Sequence, residues 1–306
     1  MTGLETKVSE SRTVFGTARA LVQAMRPKQW TKNAVVFAPL VFDNKLFNLS
    51  NLAFVAISAV LFCITSGVVY LCNDLLDADV DRLHPLKKSR PIASGRLGQR
   101  TAFSAAIVFA IVVLVTSFWI TPWLTLVLGG YMAMMFAYTL ILKHMVIIDV
   151  FVIAAGFVLR TAAGAVAIDV PLSPWLYVCL VLLSLFMGFA KRRNELELLD
   201  DGAAAHRRNL DLYSKPLLDE LITIVAAATI MAYSLYTFSA PNLPNSHAMM
   251  LTIPFVLYGI FRYLYLVHRE GGGGAPEQML LDDRPLLSTV FLWGITAIAI
   301  LYVSHH

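Results

Sequence analysis

Long runs of uncharged residues constrain the fold of this chain more than any other feature. Residues 52–72, 101–121 and 122–142 contain no charged side chain, and residues 150–168 contain only Arg160. About 20 apolar residues in an α-helix are enough to cross the hydrocarbon core of a bilayer. With 58% hydrophobic and only 14% charged residues, the composition also lies outside the range of soluble domains. The sequence therefore predicts an all-α membrane protein that crosses the bilayer several times.

Nine spans account for the apolar runs and the turns between them. The first runs from about residue 20 to residue 42, and the others cover residues 52–72, 101–121, 122–142, 150–168, 176–190, 221–239, 249–265 and 285–304. Nine spans place nearly all of the 24 Lys and Arg residues on one side, which the positive-inside rule assigns to the cytoplasm. We therefore expect a cytoplasmic N-terminus, a flexible tail over residues 1–19, and one plasma-membrane domain over residues 20–306.

An acidic motif directly follows the second span. Its polar residues are Tyr70, Asn73, Asp74, Asp77, Asp79 and Asp81. At about 100° per residue, Asn73, Asp74, Asp77 and Asp81 share one helix face with Tyr70, whereas Asp79 points to the opposite side. Crowded carboxylates repel each other unless a cation neutralises them, and carboxylate and amide oxygens are ligands that Mg²⁺ prefers. The motif therefore predicts a Mg²⁺ site among these four residues; the alternative is a solvated acidic helix end.

Basic residues accompany this motif on the same predicted side. Lys191 and Arg192, followed by Glu195, leave the sixth span and suit phosphate binding, or they form a positive-inside anchor with a Lys–Glu helix pair. The loop 84–95 contains Lys87 and Arg90 and begins just after Asp81, so it can fold over the acidic motif as a lid or remain an ordinary basic loop. Lys28 is a candidate phosphate ligand or a contact of lipid headgroups.

The fourth and fifth spans contribute further candidates. Tyr138 and Lys143 lie at the cytoplasmic end of the fourth span, and Asp149 and Arg160 share one face of the fifth. A charge as deep as Arg160 is costly unless it faces a polar cavity or a partner. It is therefore either an anchor for an anionic substrate or part of a buried ion pair. Mg²⁺ ligands, phosphate-binding cations and an apolar bundle together indicate phosphoryl or diphosphate chemistry on a membrane lipid.

The spacing Asn73-Asp-x-x-Asp77-x-x-x-Asp81 in a nine-helix bundle resembles the UbiA superfamily of intramembrane prenyltransferases. The resemblance implies that this motif binds Mg²⁺ through Asn73, Asp77 and Asp81, and that the Mg²⁺ in turn holds a diphosphate. That family usually carries a second acidic motif, D-x-x-x-D, at the end of the sixth span, where this chain has Lys191 to Glu195 instead. One acidic and one basic motif fit a substrate that bears a diphosphate and a further phosphate.

The segments 26–33, 84–95 and 191–195 resemble the decaprenyl-phosphate phosphoribosyltransferase branch of that superfamily. This resemblance implies 5-phosphoribosyl diphosphate as donor, a polyprenyl (decaprenyl) phosphate as acceptor, and a product used for cell-wall arabinan. It implies catalytic roles for Asp74, Asp77 and Asp81. The residues it implies for substrate binding are Lys28, Tyr70, Lys87, Arg90, Tyr138, Lys143, Asp149, Arg160, Lys191, Arg192 and Glu195. A homo-oligomer is left open, and no nucleic-acid partner is expected.

Two other functions are open at this stage. Prenyl transfer to an aromatic acceptor is the usual superfamily reaction, but the expected second acidic motif is missing. A transporter would place ionisable groups near the membrane midplane, whereas only Arg160 lies deep here and nearly all acidic residues lie on the cytoplasmic side. The pattern therefore favours an enzyme that works at the membrane surface.

Overall fold

The computed structural model describes residues 14–85, 87–200, 210–240, 243, 246–269 and 276–303, and every regular element in these ranges is helical. The α-helices are α1 Val14–Ala24, α2 Ala38–Phe42, α3 Leu49–Leu76, α4 Ala78–Leu83, α5 Gln99–Ile120, α6 Pro122–Leu140, α7 Ile148–Ala167, α8 Pro174–Asp200, α9 Lys215–Ser239, α10 Ile253–Arg269, α11 Pro276–Asp282 and α12 Arg284–Val303. Short 3₁₀ helices cover Lys87–Ser89, Leu142–His144, Leu210–Leu212 and Ala248–Thr252, and a long one covers Pro27–Phe37.

Eight helices in the described part of the chain are long and apolar enough to cross a membrane. They are α3, α5, α6, α7, α8, α9, α10 with its preceding 3₁₀ turn, and α12. They correspond in order to the second through ninth predicted spans. Large apolar side chains such as Phe103, Trp119 and Phe291 are exposed on α5 and α12, as expected of surfaces that face lipid. The prediction of an all-α, multi-pass membrane protein is confirmed.

The first predicted span is not a single helix. Helix α1 already begins at Val14, within the predicted tail, and ends at Ala24; the rest of that tail lies outside the described residues. Arg26 then adopts a left-handed conformation with φ 54°, and an 11-residue 3₁₀ helix begins at Pro27. Proline fixes its own φ and lacks an N–H, so it begins a helix more readily than it continues one. The expectation of one regular helix over residues 20–42 was therefore wrong.

The 3₁₀ helix Pro27–Phe37, called here the irregular segment, extends between the two ends of the bundle. Arg26, which precedes it, contacts Asp74 near the C-terminal end of α3. Just after α2, the Leu46 N–H donates to the Tyr302 hydroxyl near the end of α12. The irregular segment packs against both α3 and α7. The count of nine crossings and the side of the N-terminus stay predictions.

Helix α7 approaches the irregular segment closely because Gly164 has no side chain. A Cβ atom built on Gly164 would overlap the backbone carbonyl of Val36. One turn earlier on α7, the Arg160 side chain donates from Nε to Asn33 Oδ1 at 2.8 Å. These two neighbouring contacts hold the irregular segment inside the bundle.

We expect Gly164→Ala to destabilise the protein, because the added methyl group meets a backbone atom that cannot rotate away. Overpacking of this kind costs about 1–3 kcal/mol, measured as a lower midpoint of thermal unfolding in detergent. Gly294→Ala in α12 is the matched control, since no atom lies within 4 Å of the added Cβ. Equal midpoints for the two variants would contradict the close contact between α7 and the irregular segment.

Candidate active site

The acidic motif lies where α3 passes into α4. Helix α3 ends at Leu76, Asp77 caps it, and the Asp81 N–H still donates to the Asp77 carbonyl at 2.8 Å. Helical geometry therefore continues nearly unbroken, so Asp74 and Asp81 share one face while Asn73 and Asp77 share a neighbouring one. The Asp79 side chain is 87% exposed and pairs with Arg82. Its predicted orientation away from the other motif residues is confirmed.

Two arginines neutralise the buried half of the motif. Asp74 and Asp81 are each only 2% exposed. Arg26 donates from Nη2 to Asp74 Oδ1 at 2.5 Å, and Arg90 donates from Nη1 to Asp74 Oδ1 at 3.1 Å and Asp81 Oδ2 at 2.6 Å. We call these four residues the arginine–aspartate cluster. Arg90 belongs to the loop 84–95, so the prediction that this loop folds back over the motif is confirmed.

The motif carboxylates of the described chain do not form one acidic cluster of three. No group of three or more His, Cys, Asp or Glu residues in the described ranges is placed to hold a metal ion. The physical reason is that Arg26 and Arg90 already neutralise Asp74 and Asp81, which removes the repulsion that a metal was expected to relieve. Asp81 faces Arg90, and its part in a Mg²⁺ site with Asn73 and Asp77 stays a prediction.

Asn73 and Asp77 form the accessible half of the motif. Asn73 donates from Nδ2 to Asp77 Oδ2 at 3.2 Å, and Lys143 Nζ lies 3.8 Å from Asp77 Oδ1. The Asp77 side chain remains 35% exposed. An amide oxygen and a carboxylate at an open position fit a Mg²⁺ ion that takes its other ligands from water and a substrate phosphate, rather than from a closed protein cage.

Lys191 and Arg192, the two candidate phosphate-binding cations of the basic motif, lie in different surroundings. Arg192 is 1% exposed and donates from Nε to Asp149 Oδ2 at 2.8 Å and from Nη1 to Glu195 Oε2 at 2.5 Å. The helix pair is thus Arg192–Glu195 rather than the expected Lys191–Glu195. Lys191 is partly exposed and forms no ion pair with a described residue. Of these two candidates, Lys191 is the one free to bind a phosphate.

Tyr213 completes the surroundings of Asp149, and no pattern in the sequence singled it out. Its buried hydroxyl accepts the N–H of Ile147 at 2.6 Å and donates to Asp149 Oδ1 at 2.9 Å. Burial raises the pKa of Tyr213 to about 12, so the phenol stays protonated and acts as a donor at neutral pH. Tyr138 lies close enough to Arg192 to interact with it electrostatically.

Arg160 lies apart from the acidic motif. It is buried, donates to Asn33 Oδ1 and to the Tyr131 hydroxyl, both at 2.8 Å, and packs 5.2 Å from the ring centre of Phe62. Phe62 precedes Asp74 by about 18 Å along α3 at ~1.5 Å per residue. Among the described residues Arg160 forms no ion pair, because its hydrogen-bond partners are the Asn33 amide oxygen and the Tyr131 hydroxyl.

The structure thus sorts the remaining predicted residues into two groups. Tyr70 joins the arginine–aspartate cluster, with the Arg26 guanidinium 4.5 Å from its ring centre. Lys28 and Lys87 are exposed and are not drawn into either motif.

Residues 34–295 match the sequence model of the UbiA prenyltransferase family. The chain belongs to the UbiA prenyltransferase family. A UbiA homologue from Archaeoglobus fulgidus bound to GPP and Mg²⁺ has a TM-score of 0.70 and 18% identity, covering 92% of this chain and 99% of that one. The same homologue bound to DMAPP and Mg²⁺ gives 0.69 and 17%. The UbiA fold is therefore shown, and the chain is a membrane-embedded transferase.

Curated relatives of this UbiA protein extend over nearly its whole length. It is 35% identical over 295 residues to a decaprenyl-phosphate phosphoribosyltransferase from Mycolicibacterium smegmatis, covering 93% of each chain. It is 34% identical over 293 residues to the enzyme of the same name from Corynebacterium glutamicum, covering 94% of this chain and 88% of the relative. Both comparisons include the acidic and the basic motif within their extent.

Proposed function

We propose that this UbiA protein transfers the 5-phosphoribosyl group of 5-phosphoribosyl diphosphate to a polyprenyl (decaprenyl) phosphate and releases diphosphate, at the cytoplasmic face of the plasma membrane. The observation that carries the proposal is that the chain has both an open acidic pair, Asn73 and Asp77, and a partly exposed cation, Lys191, that forms no ion pair with a described residue. The names of the relatives support the same reaction, and its product would be a precursor of cell-wall arabinan.

The charges of the site favour a donor with two separate phosphate groups. A prenyl diphosphate has one anionic end and an apolar tail, which needs no second anion site. The proposed donor bears a diphosphate on one side of the ribose and a 5-phosphate on the other. Lys191 suits the second group because it is partly exposed and its positive charge is not used by a described carboxylate. Lys143, weakly paired at 3.8 Å from Asp77, suits the diphosphate.

Asn73 and Asp77 would hold Mg²⁺, with Asp81 able to join them only after Arg90 moves. When bound, Mg²⁺ would neutralise the charge that develops on a departing diphosphate. Asp74 and Asp81 would act through Arg26 and Arg90, which they hold beside the site in fixed positions. This assigns the two buried carboxylates a supporting role in place of direct contact with the ribose.

The chemical step requires little proton transfer. The C1–O bond of the ribose breaks and its electron pair leaves with the diphosphate, while an oxygen of the lipid phosphate forms the new bond to C1. The lipid phosphate is already ionised at neutral pH, so a general base is not needed. The ribose gains positive charge in the transition state, which a nearby carboxylate stabilises; Asp77 is the most accessible candidate.

The test is transfer of radiolabel from 5-phosphoribosyl diphosphate to decaprenyl phosphate by purified protein in detergent, with Mg²⁺ and with EDTA. We expect label in the lipid phase with Mg²⁺ and none with EDTA. A parallel reaction offers a polyprenyl diphosphate and an aromatic acid. Prenylation of the acid without ribosyl transfer would overturn the proposal and indicate the usual superfamily reaction.

A further inference from the structure

The connection between α6 and α7 contacts both halves of the site. This connection, residues 141–147, carries Lys143 to 3.8 Å from Asp77, and Asp149 in the first turn of α7 binds Arg192. Its position therefore affects the acidic motif on one side and the basic motif on the other. A small shift of these residues would change the spacing between the two groups that we expect to hold the donor.

The same connection contains a strained residue. Ile147 has φ 68° and ψ −48°, although a β-branched side chain rarely tolerates a positive φ. Such a conformation persists only where the surrounding structure holds it, and it is enriched at functional sites.

Tyr213 holds the backbone of Ile147 in this conformation. The phenol oxygen accepts the Ile147 N–H at 2.6 Å and donates to Asp149 Oδ1 at 2.9 Å, so it joins two points on either side of the start of α7. Asp149 is fully buried and Tyr213 is 5% exposed, so water does not compete for these bonds. Tyr213 precedes Ser214, the N-cap of α9, and thus ties the α9 end of the bundle to the α6–α7 connection.

We infer that Tyr213 is a positioning residue that fixes the α6–α7 connection and thereby the place of Lys143 against Asp77. The inference rests on the proposed function, because it assigns Lys143 to the donor diphosphate. Loss of the Tyr213 hydroxyl frees the strained Ile147 to relax, and Lys143 then moves away from the diphosphate. The affinity for the donor falls, whereas the affinity for the lipid acceptor does not change.

The test compares Tyr213→Phe, Lys143→Gln and the double variant by donor KM, acceptor KM and kcat. We expect Tyr213→Phe to raise donor KM about tenfold, the scale of one lost buried hydrogen bond, with acceptor KM unchanged. The double variant should have the donor KM of Lys143→Gln alone, because residues that act through one another are not additive. If the increases in donor KM of the two single variants multiply in the double variant, the inference is overturned.

Tyr302→Phe is the matched control. Its hydroxyl also accepts a backbone N–H, that of Leu46 at 2.9 Å, but at the opposite end of the bundle, so donor KM should match wild type. A lower unfolding midpoint in Tyr213→Phe with an unchanged donor KM would leave Tyr213 a structural role only and overturn the inference. If the wild-type protein transfers the label and Tyr213→Phe has the same donor KM, only this inference is overturned. If the wild-type protein transfers no label, the proposed function is overturned as well.

Discussion

Asp77→Asn is expected to lower kcat/KM about 100- to 1000-fold while the protein remains folded. Asp77 is 35% exposed, unlike the buried Asp74 and Asp81, and the described residues that contact its side chain are Asn73 and Lys143, the latter 3.8 Å away. Removing its charge therefore leaves no buried partner unsatisfied, but it removes the group expected to hold Mg²⁺ and to stabilise charge in the transition state. Losses of this size are typical when one electrostatic contact to the reacting group is removed.

The control for this prediction lies two residues away. Asp79→Asn makes the same chemical change in the same motif, at a side chain that is 87% exposed and paired with Arg82. We expect wild-type transfer from Asp79→Asn, measured in the same radiolabel assay. Wild-type turnover in Asp77→Asn, or an equal loss in both variants, would remove Asp77 from the metal site and from catalysis.

Lys191→Gln and Arg192→Gln are expected to fail in different ways, although they remove the same charge from adjacent positions. Lys191→Gln should raise the KM of the phosphate-bearing donor about 10- to 100-fold, the scale of one charge-assisted hydrogen bond, with an unchanged unfolding midpoint. Arg192→Gln leaves the fully buried Asp149 without its cation. Breaking a buried pair on one side costs about 3–5 kcal/mol of stability.

The two variants are compared by donor KM and by thermal unfolding in detergent. The expected pattern is a kinetic defect for Lys191→Gln and a stability defect for Arg192→Gln. A fully stable Arg192→Gln with a raised donor KM would reverse the assignment, because Arg192 would then bind the substrate despite its burial. Glu197→Gln, on the same helix and partly exposed, should leave both measurements near wild type.

The spans and the acidic motif could be predicted because their signals are local. An uncharged run of bilayer length must satisfy its backbone hydrogen bonds within the membrane, which leaves an α-helix or a closed barrel. The spacing from Asn73 to Asp81 follows helical geometry. The partners of Asp74 could not be predicted in the same way. Arg26 is 48 residues away in the sequence, and no periodicity connects it to Asp74. Without that partner, repulsion among the motif carboxylates pointed to a bound cation.

The conformation of the irregular segment and the role of Tyr213 could not be predicted from local sequence patterns either. Pro27 marks where the segment begins, but no local signal predicts that the 11 residues from Pro27 form a 3₁₀ helix and not an α-helix, since that geometry depends on packing against α3 and α7. Likewise, the role of Tyr213 depends on a strained residue, Ile147, that is 66 positions away. Both features arise from tertiary contacts that override local preference.

The contacts of the irregular segment also bear on how the protein is made. Synthesis proceeds from the N-terminus, so Asn33 and Val36 leave the ribosome long before Arg160 and Gly164 exist. Until α7 has been inserted, the Asn33 side-chain oxygen has no guanidinium donor, although its N–H group can already bind Cys63 in α3; an acceptor without a donor is costly in hydrocarbon. We therefore expect the segment to take its final position only once α7 is in place, although it is synthesised much earlier.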